Sequence, residues 1–128
     1  MVIDSSALIA IFCDEPERVF FIQLIAADQV RLIAATTFLE VAIVLERRAA
    51  EAWQLDKFIE KAKIEVVPVT RAQAEYARIA YRTFGKGRHQ ARLNFGDCFS
   101  YALSKSTGEP LLQKGTDFKN TDLTLVVP

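Results

Sequence analysis

One histidine and two cysteines among 128 residues exclude several kinds of chemistry. A ribonuclease that works by paired acid and base imidazoles is not available, because His89 stands alone in a glycine-containing stretch and is expected to be a loop residue. Cys13 and Cys98 lie far apart in helix-patterned segments without CxxC spacing, so buried reduced thiols are expected rather than a zinc or redox site. There is no uninterrupted apolar run of about 20 residues to span a membrane. Nor does a basic leader precede the first apolar segment, so no signal peptide is expected and the cytoplasm is the default compartment. Net charge is missing as well: sixteen basic and sixteen acidic residues cancel, so the overall balance does not point to nucleic acid. No repeat or low-complexity segment is visible.

What remains is an apolar-leaning chain, 51% hydrophobic, whose length suits one domain over residues 1–128 with a core of its own. The same excess leaves room for a dimer interface. Strand-like runs fall at Val2-Ile3, Arg31 to Ala35, Ile64 to Val69, Leu111-Leu112 and Leu123 to Val127. Helical patterns alternate with them: Ala7 to Phe12, Pro16 to Ala27, Phe38 to Arg48, Glu51 to Lys63, Ala72 to Phe84 and Phe95 to Ser106. That alternation predicts right-handed crossovers and a three-layer α/β/α fold around a parallel sheet of four to five short strands. Gly85 to Gln90, two glycines among basic residues, reads as a flexible surface loop.

Charge is distributed unevenly. No acid occurs between Tyr76 and Gly96, but Arg78, Arg82, Lys86, Arg88 and Arg92 do, so that segment carries a local positive field on which a polyanion can dock. Taken alone, it reads equally well as a solvated helix face and loop. Tyr76, Tyr81 and Phe84 lie in the same helix pattern, where apolar spacing favours core packing over base stacking.

Four acids stand at junctions between strands and helices. Asp4 ends the run Met1-Val2-Ile3, and in open α/β sheets such a turn is where ligands bind. A carboxylate there needs a partner, since burying it unpaired is costly. Glu40 fits a capping box with Thr37. Asp97 fits the first turn of a helix capped by Asn94. Asp117 fits a turn after Lys114-Gly115-Thr116. Each of the last three has a structural explanation alone, but the topology brings strand ends and first helical turns to one edge of the sheet. Crowded carboxylates raise each other's pKa unless a divalent cation holds them ionised. Oxygen ligands without clustered His or Cys suit Mg²⁺ or Mn²⁺, a chemistry that activates water for in-line attack on a phosphodiester.

Met1 to Leu8, the helix start Thr37-Phe38-Leu39-Glu40, Leu93 to Phe99 and Pro110 to Phe118 together resemble PIN-domain ribonucleases, and among them the VapC toxins of toxin–antitoxin modules. The resemblance runs over essentially the whole length. It implies a PIN-like fold and a Mg²⁺-dependent endoribonuclease, with Mn²⁺ as a substitute, held silent by a VapB-type antitoxin and forming a homodimer. Asp4 and Asp97 match the family's main metal ligands and Glu40 its third acid. Asp117 matches the fourth, although many members carry Thr-x-Asp or Thr-x-Asn there. Ser6 matches the small polar residue that supports the first aspartate, and Asn94 and Thr116 stand beside the other acids. Arg78, Arg82, Lys86, Arg88 and Arg92 become candidates for RNA phosphate contacts. The competing expectation is a PIN-like module that binds RNA or antitoxin and cleaves little. Phosphotransfer receivers and aspartyl-phosphate hydrolases fall behind, because they carry adjacent acids or Asp-x-Asp where this chain has Asp4-Ser5-Ser6.

Overall fold

The computed structural model describes residues 1–48 and 52–127. In chain order these form β1 (Val2–Ile3), α1 (Ser5–Phe12), α2 (Arg18–Ala27), β2 (Leu32–Ala34), α3 (Ala35–Arg47), α4 (Ala52–Lys61), β3 (Glu65–Val67), α5 (Arg71–Phe84), α6 (Phe95–Thr107) and β4 (Leu111–Leu112), then a 3₁₀ turn over Asp117–Asn120. The strands make one parallel sheet in the order β3-β2-β1-β4. Among the described residues no helix is long and apolar enough to cross a membrane.

Side chains on a strand point alternately to opposite faces, and this sheet buries both. Ile3, Ile33 and Leu112 face one core with Leu8 and Ile11 of α1, Phe21 and Ile25 of α2, Val41 and Leu45 of α3 and Leu55 of α4. Val2, Ala34 and Leu111 face the other, with Ala77 and Ala80 of α5 and Tyr101 and Leu103 of α6. Helices on both faces of a parallel sheet give the expected three-layer α/β/α architecture.

The elements depart from the expected boundaries where backbone connectivity outweighs pattern. α3 starts at Ala35, directly after β2, with Ala34 at the N-cap and no side-chain cap. The capping box expected from Thr37 and Glu40 is therefore absent: both residues are already inside the helix, and Thr37 is buried. The expected helix start at Glu51 lies outside the described residues. Leu123 to Val127 does not form a fifth strand. It contributes a single parallel bridge, Leu125 to Leu111, because β4 has only two residues to pair with. The basic loop is pinned at its base by the Lys86 and Leu93 amides, which donate to Leu93 O and Phe84 O at 2.9 Å. Inside it, His89 Nδ1 accepts from the Ala91 amide at 3.0 Å while its ring meets Phe84 edge-on, so His89 is a structural loop residue.

Candidate active site

Asp4 follows β1 and caps α1, with its side chain buried. Its Oδ2 accepts from the Ser6 amide at 3.1 Å and from Ser6 Oγ at 2.6 Å. Its Oδ1 accepts from Ser100 Oγ at 2.6 Å, across 96 residues of sequence. Each hydroxyl is itself held. Ser6 Oγ accepts the Lys114 amide at 3.0 Å, and Ser100 Oγ lies 3.4 Å from Thr37 Oγ1. A carboxylate fixed by three donors cannot rotate freely, so α6, α3 and the segment after β4 together set its direction.

Asp97 sits in the first turn of α6. The Asn94 amide donates to its Oδ2 at 3.0 Å and the Asp97 amide donates to Asn94 Oδ1 at 2.9 Å, a reciprocal capping box as the sequence predicts. Burial first, and then the charges of Asp4, Asp117 and Glu40, push the Asp97 carboxyl up to about 7 against the lowering effect of the Asn94 hydrogen bond. The other three acids of the sequence pattern thus act on Asp97 at the N-terminus of α6.

Glu40 reaches this place from α3, one turn beyond buried Thr37. Its carboxylate lies where a Cβ on residue 96 would stand, so Gly96 is the space into which Glu40 extends. Asp117 lies at the rim: it is exposed, opens the 3₁₀ turn after Thr116, and Thr116 forms no side-chain cap. Asp117 and Thr116 line a polar groove of about 390 Å³ with Asn94, Lys86 and Arg92. As the side chains stand, no three ligating residues close on a single point among the described residues. The acids are near enough for their charges to raise Asp97.

The basic residues divide. Lys86 and Arg92 flank the acids, and Arg88 lies with them around the loop. Arg78 stands on α5 beside a second groove that Lys86 also borders, while Arg82 is exposed on the same helix and borders neither. Core packing holds for Phe84, whose ring lies 5.7 Å from that of Tyr101. It does not hold for Tyr76 and Tyr81, which are 41% and 43% exposed, because α5 buries only the stripe of Gln73, Ala77 and Ala80. The sequence pattern does not point to Ser100 or Gly96, and it marks Thr37 only as a helix cap. The Asp97-x-x-Ser100 spacing, one helical turn, was the available signal for Ser100.

A parallel sheet in this order with acids gathered at the start of α6 defines the class. The PIN-domain profile matches residues 1–123, and the chain belongs to the PIN-domain family. Within it, the chain groups with the VapC ribonucleases. It is 49% identical over 128 residues to ribonuclease VapC30 of Mycobacterium tuberculosis, covering 98% of each chain. It is also 49% identical to ribonuclease VapC of Mycolicibacterium smegmatis, covering 98% of this chain and 99% of that one. Two solved structures share the fold. One is M. tuberculosis VapC20, a sarcin-ricin loop cleaving toxin, with a TM-score of 0.78 at 21% identity over 99% of this chain and 98% of that chain. The other belongs to a toxin–antitoxin complex from Klebsiella pneumoniae, with a TM-score of 0.72 at 16% identity over 94% and 92% of the two chains.

Proposed function

We propose that this chain, acting as one domain over residues 1–128, is the toxin of a toxin–antitoxin module: a cytoplasmic, Mg²⁺-dependent endoribonuclease inhibited by a VapB-type antitoxin. The observation that supports this reading is that Asp4, Glu40 and Asp117 lie near enough to Asp97, at the N-terminus of α6, for their charges to act on its carboxyl. An all-oxygen donor set with a carboxyl raised to about 7 by burial and by the charges of its neighbours fits a hard divalent cation. Asp4 and Asp97 would hold it, with Glu40 beside them and Asp117 contributing from the rim. When bound, such a cation supplies Lewis acidity at the phosphoryl group and lowers the pKa of water.

The chain's own groups do the rest. Ser6 and Ser100 fix the direction of Asp4. Asn94 holds Asp97 against the first turn of α6. Glu40 orients the attacking water by accepting its hydrogen bond, while Lys86 and Arg92 hold the phosphate backbone in the polar groove and Arg88 extends that field. An antitoxin Arg or Lys entering between the carboxylates would displace the cation and silence the site. Val19 and Phe20 on α2 and Leu39 and Ile43 on α3 are exposed, and this apolar surface supports an antitoxin contact and a homodimer.

Total cellular RNA incubated with the antitoxin-free protein is expected to be cut with Mg²⁺ or Mn²⁺ at defined positions leaving 5′-phosphates, and to stay intact with EDTA. No cutting under any metal by folded protein would replace this reading with a module that binds RNA or antitoxin. A second expected result concerns Gly96. Alanine is favoured over glycine inside a helix by about 1 kcal/mol, and the group in its way is the end of a flexible side chain. Gly96→Ala should therefore keep or slightly raise Tm while slowing RNA cleavage by on the order of tenfold, because Glu40 is pushed aside. Unchanged cleavage would remove Glu40 from the chemistry.

A further inference from the structure

Phe95 is 79% exposed, and a phenylalanine so placed at the first position of a helix buries nothing for the fold. It stands at the mouth of an apolar groove of about 690 Å³ between α5 and α6, a volume typical of small-molecule sites. The ring of Phe95 meets that of Phe99 edge-on, with centroids 5.0 Å apart, and Tyr81 faces the same space from α5. Ala74 and Ala77 leave the groove open where larger side chains would fill it. Arg78 and Lys86 line the groove as well. Asn94 and Lys86 are shared with the polar groove that holds Asp117 and Arg92, so the two grooves adjoin.

We propose that the α5–α6 groove receives an unstacked nucleobase of single-stranded RNA whose phosphate lies in the neighbouring polar groove, which Lys86 and Arg92 line with Asp117. The proposal rests on the ribonuclease reading for the position of that phosphate. Sequence-tolerant recognition of single strands combines aromatic faces, on which bases stack, with cations along the backbone, and both occur here side by side. The occupant is a nucleotide rather than an apolar partner surface because the groove carries two cations, Arg78 and Lys86, from the acid-free segment Tyr76 to Gly96. Arg78 has only a 4.0 Å pair with Glu75, both largely exposed, and is available to a phosphate.

The test uses the full chain carrying Asp97→Asn, to prevent cutting, with fluorescently labelled octamers of uridylate, of adenylate and of abasic ribose phosphate. Base-containing octamers are expected to bind roughly tenfold more tightly than the abasic one. Phe95→Ala should bring them to the abasic level without altering the salt dependence, and Phe95→Trp should restore the difference. Arg78→Ala with Lys86→Ala should weaken all three octamers and flatten the salt dependence. Equal binding of base-containing and abasic octamers, or no effect of Phe95→Ala, would overturn the proposal. So would a Phe95→Ala protein that binds RNA normally but changes its mass by light scattering, which would assign the groove to a second copy of the chain. Cleavage by the protein with aspartate at position 97 separates the two readings. Cutting without a Phe95 effect on binding keeps the nuclease and removes the base site, whereas a Phe95 effect without cutting does the reverse.

Discussion

Asp4→Asn is expected to reduce RNA cleavage by at least about 10³-fold while the protein stays folded. The change removes one negative charge and almost no volume. Loss of several kcal/mol of transition-state stabilisation is expected when a carboxylate holding a catalytic cation becomes a neutral amide, and each ~1.4 kcal/mol is a factor of ten in rate. The fold should tolerate it. Asparagine is as good an N-cap as aspartate, so the Ser6 amide keeps an acceptor, and the Ser100 hydroxyl can turn toward the second amide group as acceptor. A stability change of about 1 kcal/mol is expected. Initial cleavage rates beside thermal melts check this. An Asp4→Asn protein that cuts like the parent would place the chemistry elsewhere, and one that unfolds would make Asp4 a structural residue first.

The second large effect is on stability against pH in metal-free protein. The Asp97 carboxyl is raised to about 7 by burial and by three neighbouring acids, from an ordinary value of 3.8. Because the folded state holds this proton more tightly than the unfolded chain, the stabilisation is complete below pH 4. It is lost as pH rises through 7. Allowing for the carboxylate's partial contact with water, the loss is about 2 kcal/mol, or roughly 5–10 °C in Tm. Asp97→Asn should flatten the profile between pH 4 and 7, and saturating Mg²⁺ should restore the parent's Tm above pH 7, with release of a proton on binding only below pH 7, where Asp97 is protonated.

Another group acts at the acid end. Asp122 is exposed, and its desolvation is outweighed by hydrogen bonds from Lys105 and Tyr101, which hold its carboxyl below the usual range. Its contribution is present above pH 4 and lost below it, so the two windows separate. Melts in EDTA across pH 3 to 9 measure both. A parent and Asp97→Asn pair with parallel profiles would show that the four acids do not repel one another at this place.

The alternation of strand and helix and the two-sided burial of Val2-Ile3 and Leu111-Leu112 were legible in the sequence, because periodicity and apolar runs are local. The same holds for Asp97 with Asn94, a cap that closes over three residues, whereas the support of Asp4 by Ser6 was implied by the family resemblance. Thr37-Phe38-Leu39-Glu40 misled because a capping box describes only the helix that starts there, and α3 starts earlier, where β2 ends. The fifth strand failed for a related reason: apolar content permits pairing but does not lengthen its partner.

By itself, then, the sequence determined which acids were available, that they would stand at strand ends and helix starts, and that helices would cover both faces of a parallel sheet. Only the tertiary structure decided that Ser100 would hold Asp4 from 96 residues away, that Glu40 would extend over Gly96, and that Phe95 and Tyr81 would face one groove beside the acids. These are meetings of residues distant in the chain. They follow from the strand order β3-β2-β1-β4 and the helix packing, which set distances that no local pattern encodes.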